Sequence, residues 1–313
     1  MNEEIPLVAI VGATASGKTA VAVEIAEQLN GEIISADAVS VYRYLDIGAA
    51  KPDASERARA QFHLIDVADP DEDFSLGDFT RLADAAIADI RARGKMPIVA
   101  GGTGLYVRGV TATLSVPEVA PDETLREELR AMGAEALFAR LQGVDPVAAA
   151  KILPGDVKRM VRALEVFETT GKPMTAFHTP EGVQGVPKPN TYIFCLDRER
   201  TELYRRIETR VDVMLAAGLV AEVQGLLDRG YQPSLKSMTS LGYRHVARYL
   251  LHNQPLTEAV DELKRDTRRF AKRQLSWFRA DAQVNGLAVG DTDSAEAVAD
   301  ALVNALKKRI TGA

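Results

Sequence analysis

The sequence predicts an α/β fold: a parallel sheet core flanked by helices and interrupted by a small all-helical insertion. Three observations carry this. Short β-branched runs alternate with helical stretches over the first hundred residues. The first of these runs opens directly onto a glycine-rich phosphate-binding pattern, Gly12–Thr19. Between two proline-rich breaks, Val116–Asp122 and His178–Asn190, the periodicity is helical and no strand pattern is found.

The elements follow in order. Pro6–Val11 (PLVAIV) is a buried-strand pattern ending in glycine. Thr19–Leu29 reads as a helix with Ala20, Val23 and Ala26 or Glu27 at helical spacing, and Asn30-Gly31 stops it. A second strand, Glu32–Ser35, runs into Asp37. Leu82–Arg93 reads as a helix closed by Gly94, and Pro97–Ala100 as a strand opening onto Gly101-Gly102-Thr103-Gly104. Such alternation implies parallel strands with right-handed crossovers. In the insertion, roughly 113–188, Leu125–Leu129 and Met160–Leu164–Phe167 show helical spacing. A strand returns at Thr191–Leu196, helices follow, and Ser294–Ile310 reads as a capped helix closing the core. This divides the chain into a first core part (1–112), the insertion (113–188) and a second core part (189–313).

With 313 residues, 46% hydrophobic and 26% charged, the composition is that of a globular protein of about two domains. No apolar run approaches the ~20 residues of a membrane span, and the first ten residues lack a basic segment followed by an apolar one, so a soluble cytoplasmic protein is expected. The single cysteine, Cys195, excludes an intramolecular disulfide and a cysteine metal cage. Four scattered histidines, His63, His178, His245 and His252, argue against a histidine site. The net charge of −6 conceals an asymmetry: residues 1–120 carry −8, whereas residues 201–280 carry 14 basic against 9 acidic side chains. A basic region on an acidic protein suits a polyanion-binding surface, and it also suits a merely solvated basic helix.

Gly12-Ala13-Thr14-Ala15-Ser16-Gly17-Lys18-Thr19 matches the P-loop pattern. Its glycines let backbone N–H groups wrap an oxyanion, and the following helix aims its positive end at the same place. Lys18 adds a full charge, and the Thr19 hydroxyl is placed to hold Mg²⁺. The strand before and helix after make this a P-loop NTPase-like core rather than a structural turn. The Asn-Lys-X-Asp pattern of guanine-reading GTPases is absent. Asp37, past the end of the second strand, falls on the sheet edge where such folds present ligands. It is a candidate base or magnesium-positioning group, or else a turn aspartate. Asp66 is a weaker rival of the same type, and Thr103 faces the same crevice.

Several segments together resemble one family. They are Gly12–Thr19; Ser35-Ala36-Asp37 leading to Val41-Tyr42-Arg43 and Asp46–Pro52; Gly101–Tyr106; Arg162–Val166 with Thr170–Pro173; Leu203–Val223; Leu241-Gly242-Tyr243-Arg244; and Ala271–Arg279. In this order, from about residue 7 to 280, they closely resemble the tRNA dimethylallyltransferases (isopentenyltransferases). The resemblance implies transfer of a dimethylallyl group from dimethylallyl diphosphate to N6 of the adenosine 3′-adjacent to the anticodon, in tRNAs reading codons that begin with U. The P-loop would hold the donor's diphosphate, not necessarily ATP, with Mg²⁺ neutralising it. Asp37 would receive or orient the amine proton, Thr103 would hydrogen-bond near the reacting groups, and Arg210 would add charge to the diphosphate. Helical spacing alone pairs Arg210 with Glu208 or Asp212 instead.

The partner implied is a tRNA anticodon stem-loop, taken by a monomer. A base leaving its stack costs a few kcal/mol, which backbone contacts must offset. Lys264, Arg268 and Lys272 share one i, i+4 row, and Arg265, Arg269 and Arg273 the adjacent one, with Leu263, Phe270 and Trp277 on the core-facing side. Trp277 and Phe278 read as core rather than as stacking platforms. The resemblance also carries Ala38, Val39 and Ser40 to the acceptor base, and Arg126, Lys158, Arg159, Met160, Val161, Arg162 and Arg244 to the tRNA. Family members often read Ser-Ala-Asp-Ser then Met-Gln where this chain has Ala38, Val39 and Ser40, and a common Thr is Ala49 here. These departures bear on tRNA choice or affinity. Two other classes compete. A P-loop metabolite kinase would use the same loop but has no need of an extended cationic helix, and an RNA-binding module would not retain Lys18, Thr19 and Asp37.

Overall fold

The computed structural model describes residues 5–114, 117, 119–177 and 185–311; Val116, Glu118 and 178–184 of the proline-rich breaks, His178 included, lie outside the described residues. The chain begins β1 (Leu7–Gly12), α1 (Lys18–Gln28), β2 (Gly31–Ser35), α2 (Ala54–Arg59) and β3 (Phe62–His63). It continues α3 (Leu76–Ala92), β4 (Met96–Gly101), α4 (Gly104–Thr111) and β5 (Ala112–Thr113). Then come α5 (Glu123–Ala131), α6 (Ala134–Val144), α7 (Pro146–Ala149), α8 (Val157–Thr170) and β6 (Val186–Pro187). β7 (Thr191–Arg198), α9 (Arg200–Ala216), α10 (Leu219–Asp228), α11 (Tyr243–His252), α12 (Leu256–Arg279), β8 (Val284–Val289) and α13 (Ala295–Thr311) complete it. It separates into two compact units, Met1–Thr111 with Lys188–Ala313, and Ala112–Pro187.

The first unit is built on a six-stranded sheet, order β3-β2-β4-β1-β7-β8, with every pairing parallel. β1 is buried along its whole length because helices cover both faces. Its side chains alternate between two cores. Ala9 and Val11 meet Phe79, Val99 and Tyr106 on one face, while Val8 and Ile10 meet Val21, Ile25 and Leu302 on the other. Because the strands are parallel, the ends at Gly12, Ser35 and Gly101 share one edge, and the loops that follow them converge there.

Several boundaries differ from the sequence reading. α3 starts at Leu76, six residues earlier, because Ser75 and Asp78 form a reciprocal capping box that Gly77 obscures in the periodicity. On α1 the inward face is Val21, Ala22, Val23, Ile25 and Ala26, with Ala20 and Glu27 exposed, since the helix is seated through its β-branched residues. β8 joins the sheet beside β7 although its half-exposed VNGLAV carries no clean alternation. Ser294 caps α13 by accepting from the Ala297 N–H.

The second unit is nearly but not wholly helical. β5 and β6 form a two-residue antiparallel ladder at its ends, pairing backbone groups that the Pro187 neighbourhood cannot place in a helix. Its core is Leu129, Leu137, Leu141, Met160, Val161 and Leu164. Met160 and Val161 are therefore corrected from tRNA contacts to core: they lie on the inward face of α8, between exposed Lys158 and Arg159 and the next turn. Arg126 and Arg162 both bind the fully buried Glu165 carboxylate, which also accepts the Asp122 N–H. Removing either cation would leave the buried carboxylate with one arginine in place of two, so both have a structural role.

Candidate active site

The phosphate loop is held in shape by side chains from distant parts of the chain. Gly12, at φ 146°, leaves no room for a Cβ, which would meet the Leu196 carbonyl at 2.9 Å. The Lys18 ammonium donates to the Ala13 carbonyl (2.6 Å), Arg206 Nε to the Ala15 carbonyl (3.0 Å) and Arg198 Nε to the Ser16 carbonyl (2.9 Å). Carbonyls that would repel an anion are thus bound by cations, two of them, Arg198 and Arg206, outside the cleft lining. α1 starts at Lys18 from left-handed Gly17 with no side-chain cap, so its first N–H groups remain available to a ligand.

Asp37 and Thr103 come from the ends of β2 and β4 and meet through the backbone between them. Asp37 Oδ1 accepts from the Val39 N–H (2.8 Å) and Ser40 N–H (3.1 Å), which is the turn role weighed for it from sequence. Its Oδ2 receives no hydrogen bond among the described residues, so one carboxylate serves the turn with one oxygen and faces the cleft with the other. Thr103 Oγ1 accepts from the Ala38 N–H (3.0 Å), which leaves its own proton free to donate. The rival acid is committed elsewhere: Asp66 binds the Lys51 ammonium, which also donates to Asp46 and the Tyr42 carbonyl.

Arg210 lines this cleft, and the carboxylates two residues to either side of it on α9 are paired elsewhere. Glu208 pairs with Arg268 at 2.7 Å and Asp212 with Lys264 at 2.6 Å, so neither holds Arg210, for which no ion pair is found among the described residues. Burial depresses its guanidinium, and the charges of Asp37 and Glu56 oppose that. Lys18 is pushed down from 10.5 to about 8, first by desolvation and then by Arg210, with Asp37 pulling the other way. Two cations crowded beside one carboxylate form a site short of negative charge. Lys18, Asp37, Glu56, Thr103 and Arg210 all line one cleft of about 790 Å³.

The profile of the IPP transferase family matches residues 40–281, and that of an isopentenyl transferase family matches 5–66. A tRNA dimethylallyltransferase of Roseiflexus castenholzii is 52% identical over 279 residues, covering 88% of this chain and 90% of the relative. The chain belongs to the IPP transferase family. One solved structure, a tRNA isopentenylpyrophosphate transferase of Bacillus halodurans, is 40% identical, covers 99% of both chains and superposes with a TM-score of 0.72. A eukaryotic dimethylallyltransferase acting on tRNA is 25% identical, with a TM-score of 0.81 over 98% of this chain and 79% of that one.

In this family member the cleft owes much to α12, which the sequence reading oriented only in part. Its inward face is Ala259, Leu263, Thr267, Ala271, Gln274 and Phe278. Trp277 is corrected from core to cleft wall: it is 37% exposed, while its neighbour Phe278 is 2% exposed. Phe270 is also half-buried in the cleft rather than in the core. Gln274 was not singled out from sequence. It accepts from the Thr14 N–H (2.8 Å) and donates to the Gly102 carbonyl (2.9 Å), clamping the phosphate loop to the Thr103 turn. Its partners lie 260 and 172 residues away, beyond any local signal.

The cationic rows on α12 divide. Lys264 and Arg268, expected to contact tRNA, are paired with the α9 carboxylates Asp212 and Glu208. Arg265 and Arg269 share Asp266, with Arg244. Lys272 is exposed without an ion pair among the described residues, and Arg273 lines the cleft against the Phe270 ring. Opposite, Glu222 accepts the Asp46, Ile47 and Gly48 N–H groups and the Tyr243 hydroxyl, which in turn accepts from the Ala49 N–H. The loops carrying Ala38, Val39 and Ala49 are therefore fixed through backbone amides, and the departures at these positions leave that scaffold intact.

Proposed function

We propose that this chain transfers a dimethylallyl group from dimethylallyl diphosphate to tRNA, at N6 of the adenosine 3′-adjacent to the anticodon in tRNAs reading codons that begin with U. The observation that carries the reading is the unengaged Oδ2 of Asp37, beside the Thr103 hydroxyl and in one cleft with Lys18 and Arg210. The diphosphate takes the seat at Gly12–Thr19, where Lys18, Arg210 and the α1 N-terminus receive the charge of the leaving group. The prenyl tail follows the apolar stripe of Ile207, Val211 and Met214, which recedes from the loop along α9 and faces Leu263 and Phe270.

In the reaction the bond between the donor's C1 and the diphosphate oxygen breaks, and a bond from adenine N6 to C1 forms. The proton lost from N6 passes to Asp37 Oδ2, and diphosphate leaves. The amine is a weak nucleophile, because its lone pair is delocalised into the ring, so orientation by Thr103 and Asp37 matters as much as basicity. Among the described residues no three His, Cys, Asp or Glu side chains converge as a metal cage. The Thr19 hydroxyl, which lines the cleft and has no protein partner among the described residues, would help to hold a Mg²⁺. When bound, that ion neutralises the leaving group. The same cradle would accept the phosphates of ATP as a competitor. Arg265, Arg269, Lys272, Arg273 and Arg244 are the tRNA side of this unit, with Lys158, Arg159, Arg126 and Arg162 on the insertion. One chain acts on one tRNA, as a cytoplasmic monomer.

The test is transfer of labelled prenyl from dimethylallyl diphosphate to an anticodon stem-loop RNA, comparing wild type with Asp37→Asn. Asparagine keeps the oxygen that holds Val39 and Ser40 while removing the base, so label in RNA should fall by ~10²–10⁴ with RNA affinity within a few-fold. No transfer by wild type, with γ-labelled ATP consumed on a small acceptor, would favour the kinase reading.

A further inference from the structure

The cleft wall opposite the apolar stripe holds a feature that the transfer chemistry leaves unused. Trp277 stands on α12 with its ring laid on α4. A Cβ at Gly104 would overlap indole Cδ1 and Nε1, so the ring touches bare backbone there. One turn on, the Arg108 guanidinium lies 4.5 Å from the ring centroid, itself anchored by Asp281 at 3.3 Å. Gly104 and Arg108 are i and i+4 on one side of α4, so both cover the same side of the indole. The exposure of 37% then belongs to the other side, which borders the cleft. Arg108 is nearly buried and its Nε finds no partner among the described residues, so the contact with the ring is one of the few its charge has there.

From this we infer that the open face of Trp277 is a stacking platform for the base to be modified. The inference rests on the prenyl-transfer reading, because it supplies what that reading requires: a surface for a base that has left its stack. Thr103 immediately precedes Gly104, so a base lying on the indole has its edge towards Thr103 and Asp37. The prenyl stripe of α9 is apolar and narrow, and a planar heterocycle has no second aromatic wall there except Phe270. Gly104 and Arg108 fix the plane of the ring before any RNA arrives, and a preorganised platform orders no further side chain on binding.

Trp277 is the only tryptophan of the chain, so intrinsic emission reports this one ring. Wild type would be titrated with an anticodon stem-loop bearing adenosine at the target position, with the same RNA abasic there, and with a non-reactive thio analogue of dimethylallyl diphosphate. Fluorescence anisotropy of end-labelled RNA would confirm binding. The expected result is quenching by the adenosine RNA, little quenching by the bound abasic RNA, and none by the donor analogue alone. Unchanged emission with RNA bound, equal quenching by the abasic RNA, or quenching by the donor analogue would overturn the platform. In kinetics Trp277→Ala should lower kcat/KM for RNA by roughly ten- to hundred-fold, leave the donor KM within a few-fold, and be largely rescued by Trp277→Phe. Loss of both parameters together, or no rescue in a folded variant, also overturns it. Label transfer by wild type without an emission response refutes the platform alone, whereas absence of transfer refutes the reading beneath it.

Discussion

The Lys18 ammonium should make donor binding fall with pH at a point set by the empty site. Its pKa is pushed from 10.5 to about 8 by desolvation and Arg210, which corresponds to about 3 kcal/mol against the charged form. A diphosphate reverses that penalty, so the protonated site is the one that binds. With a midpoint near 8, the charged fraction drops about tenfold between pH 7 and pH 9, and affinity for a fully ionised diphosphate monoester should drop by the same factor. Isothermal titration with the thio analogue, from pH 6.5 to 9.5, measures it. Stability of the ligand-free protein should move the other way: the unfolded chain binds the extra proton between about 8 and 10.5, so this group's contribution rises with pH in that window. Arg210→Ala should shift the binding midpoint upward but short of 10.5, because desolvation, the larger cause, remains. A flat profile, or one that persists in Lys18→Met, would refute the assignment of the effect to this lysine.

Three further perturbations test other contacts. Gln274→Ala leaves the Thr14 N–H and Gly102 carbonyl without their partner, each at a cost of ~1–3 kcal/mol. The donor KM should rise roughly tenfold or more with a lowered Tm, and an unchanged donor KM would dissociate the clamp from the phosphate seat. Met214→Ala lengthens the α9 stripe, so the preference for geranyl over dimethylallyl diphosphate, as a ratio of kcat/KM, should rise about tenfold or more; an unmoved ratio would put the tail elsewhere. Arg273→Glu should weaken RNA binding and flatten its salt dependence by about one ion. Lys264→Gln, which breaks only the half-exposed pair with Asp212, should change stability by ~0–1 kcal/mol and leave the salt slope as it was.

What could be read from sequence was local. β1, β2, β4 and β7 announce themselves as β-branched runs ending in glycine or polar residues, and the phosphate loop lies within eight consecutive positions. Asp37 and Thr103 were legible because a parallel sheet sends its strand ends to one edge. The position of Arg210 was not legible in the sequence, where Glu208 and Asp212 stand two residues to either side of it. Only the fold shows that α12 has taken both. Arg198, Arg206 and Gln274 bind backbone atoms between 172 and 260 residues away, and a carbonyl partner leaves no trace in the identity of the residue that owns it. The β5–β6 ladder failed for another reason: two residues are too few to show a period.

α12 explains why the site is cooperative rather than a set of separate residues. Through Leu263 and Phe278 it is fixed in the core, and through Lys264 and Arg268 it is bolted to the carboxylates of α9, the helix that carries Arg210. Through Gln274 it ties the phosphate loop to the turn that carries Thr103, and through Trp277 it lies against the start of α4. A shift of this one helix would therefore move the diphosphate seat, the cation that completes it and the wall facing the acceptor together. The i, i+4 register that reads in sequence as a doubled cationic stripe is thus put to three uses. Lys264 and Arg268 lock helix to helix, Arg265 and Arg269 gather on Asp266, and Arg273 reaches the cleft. Counting charge along a helix measures the first two as readily as the third. What a polyanion meets is the positive charge left in excess once the helix is docked: Lys272 and Arg273 have no carboxylate partner among the described residues, and Arg265 and Arg269 share one with Arg244.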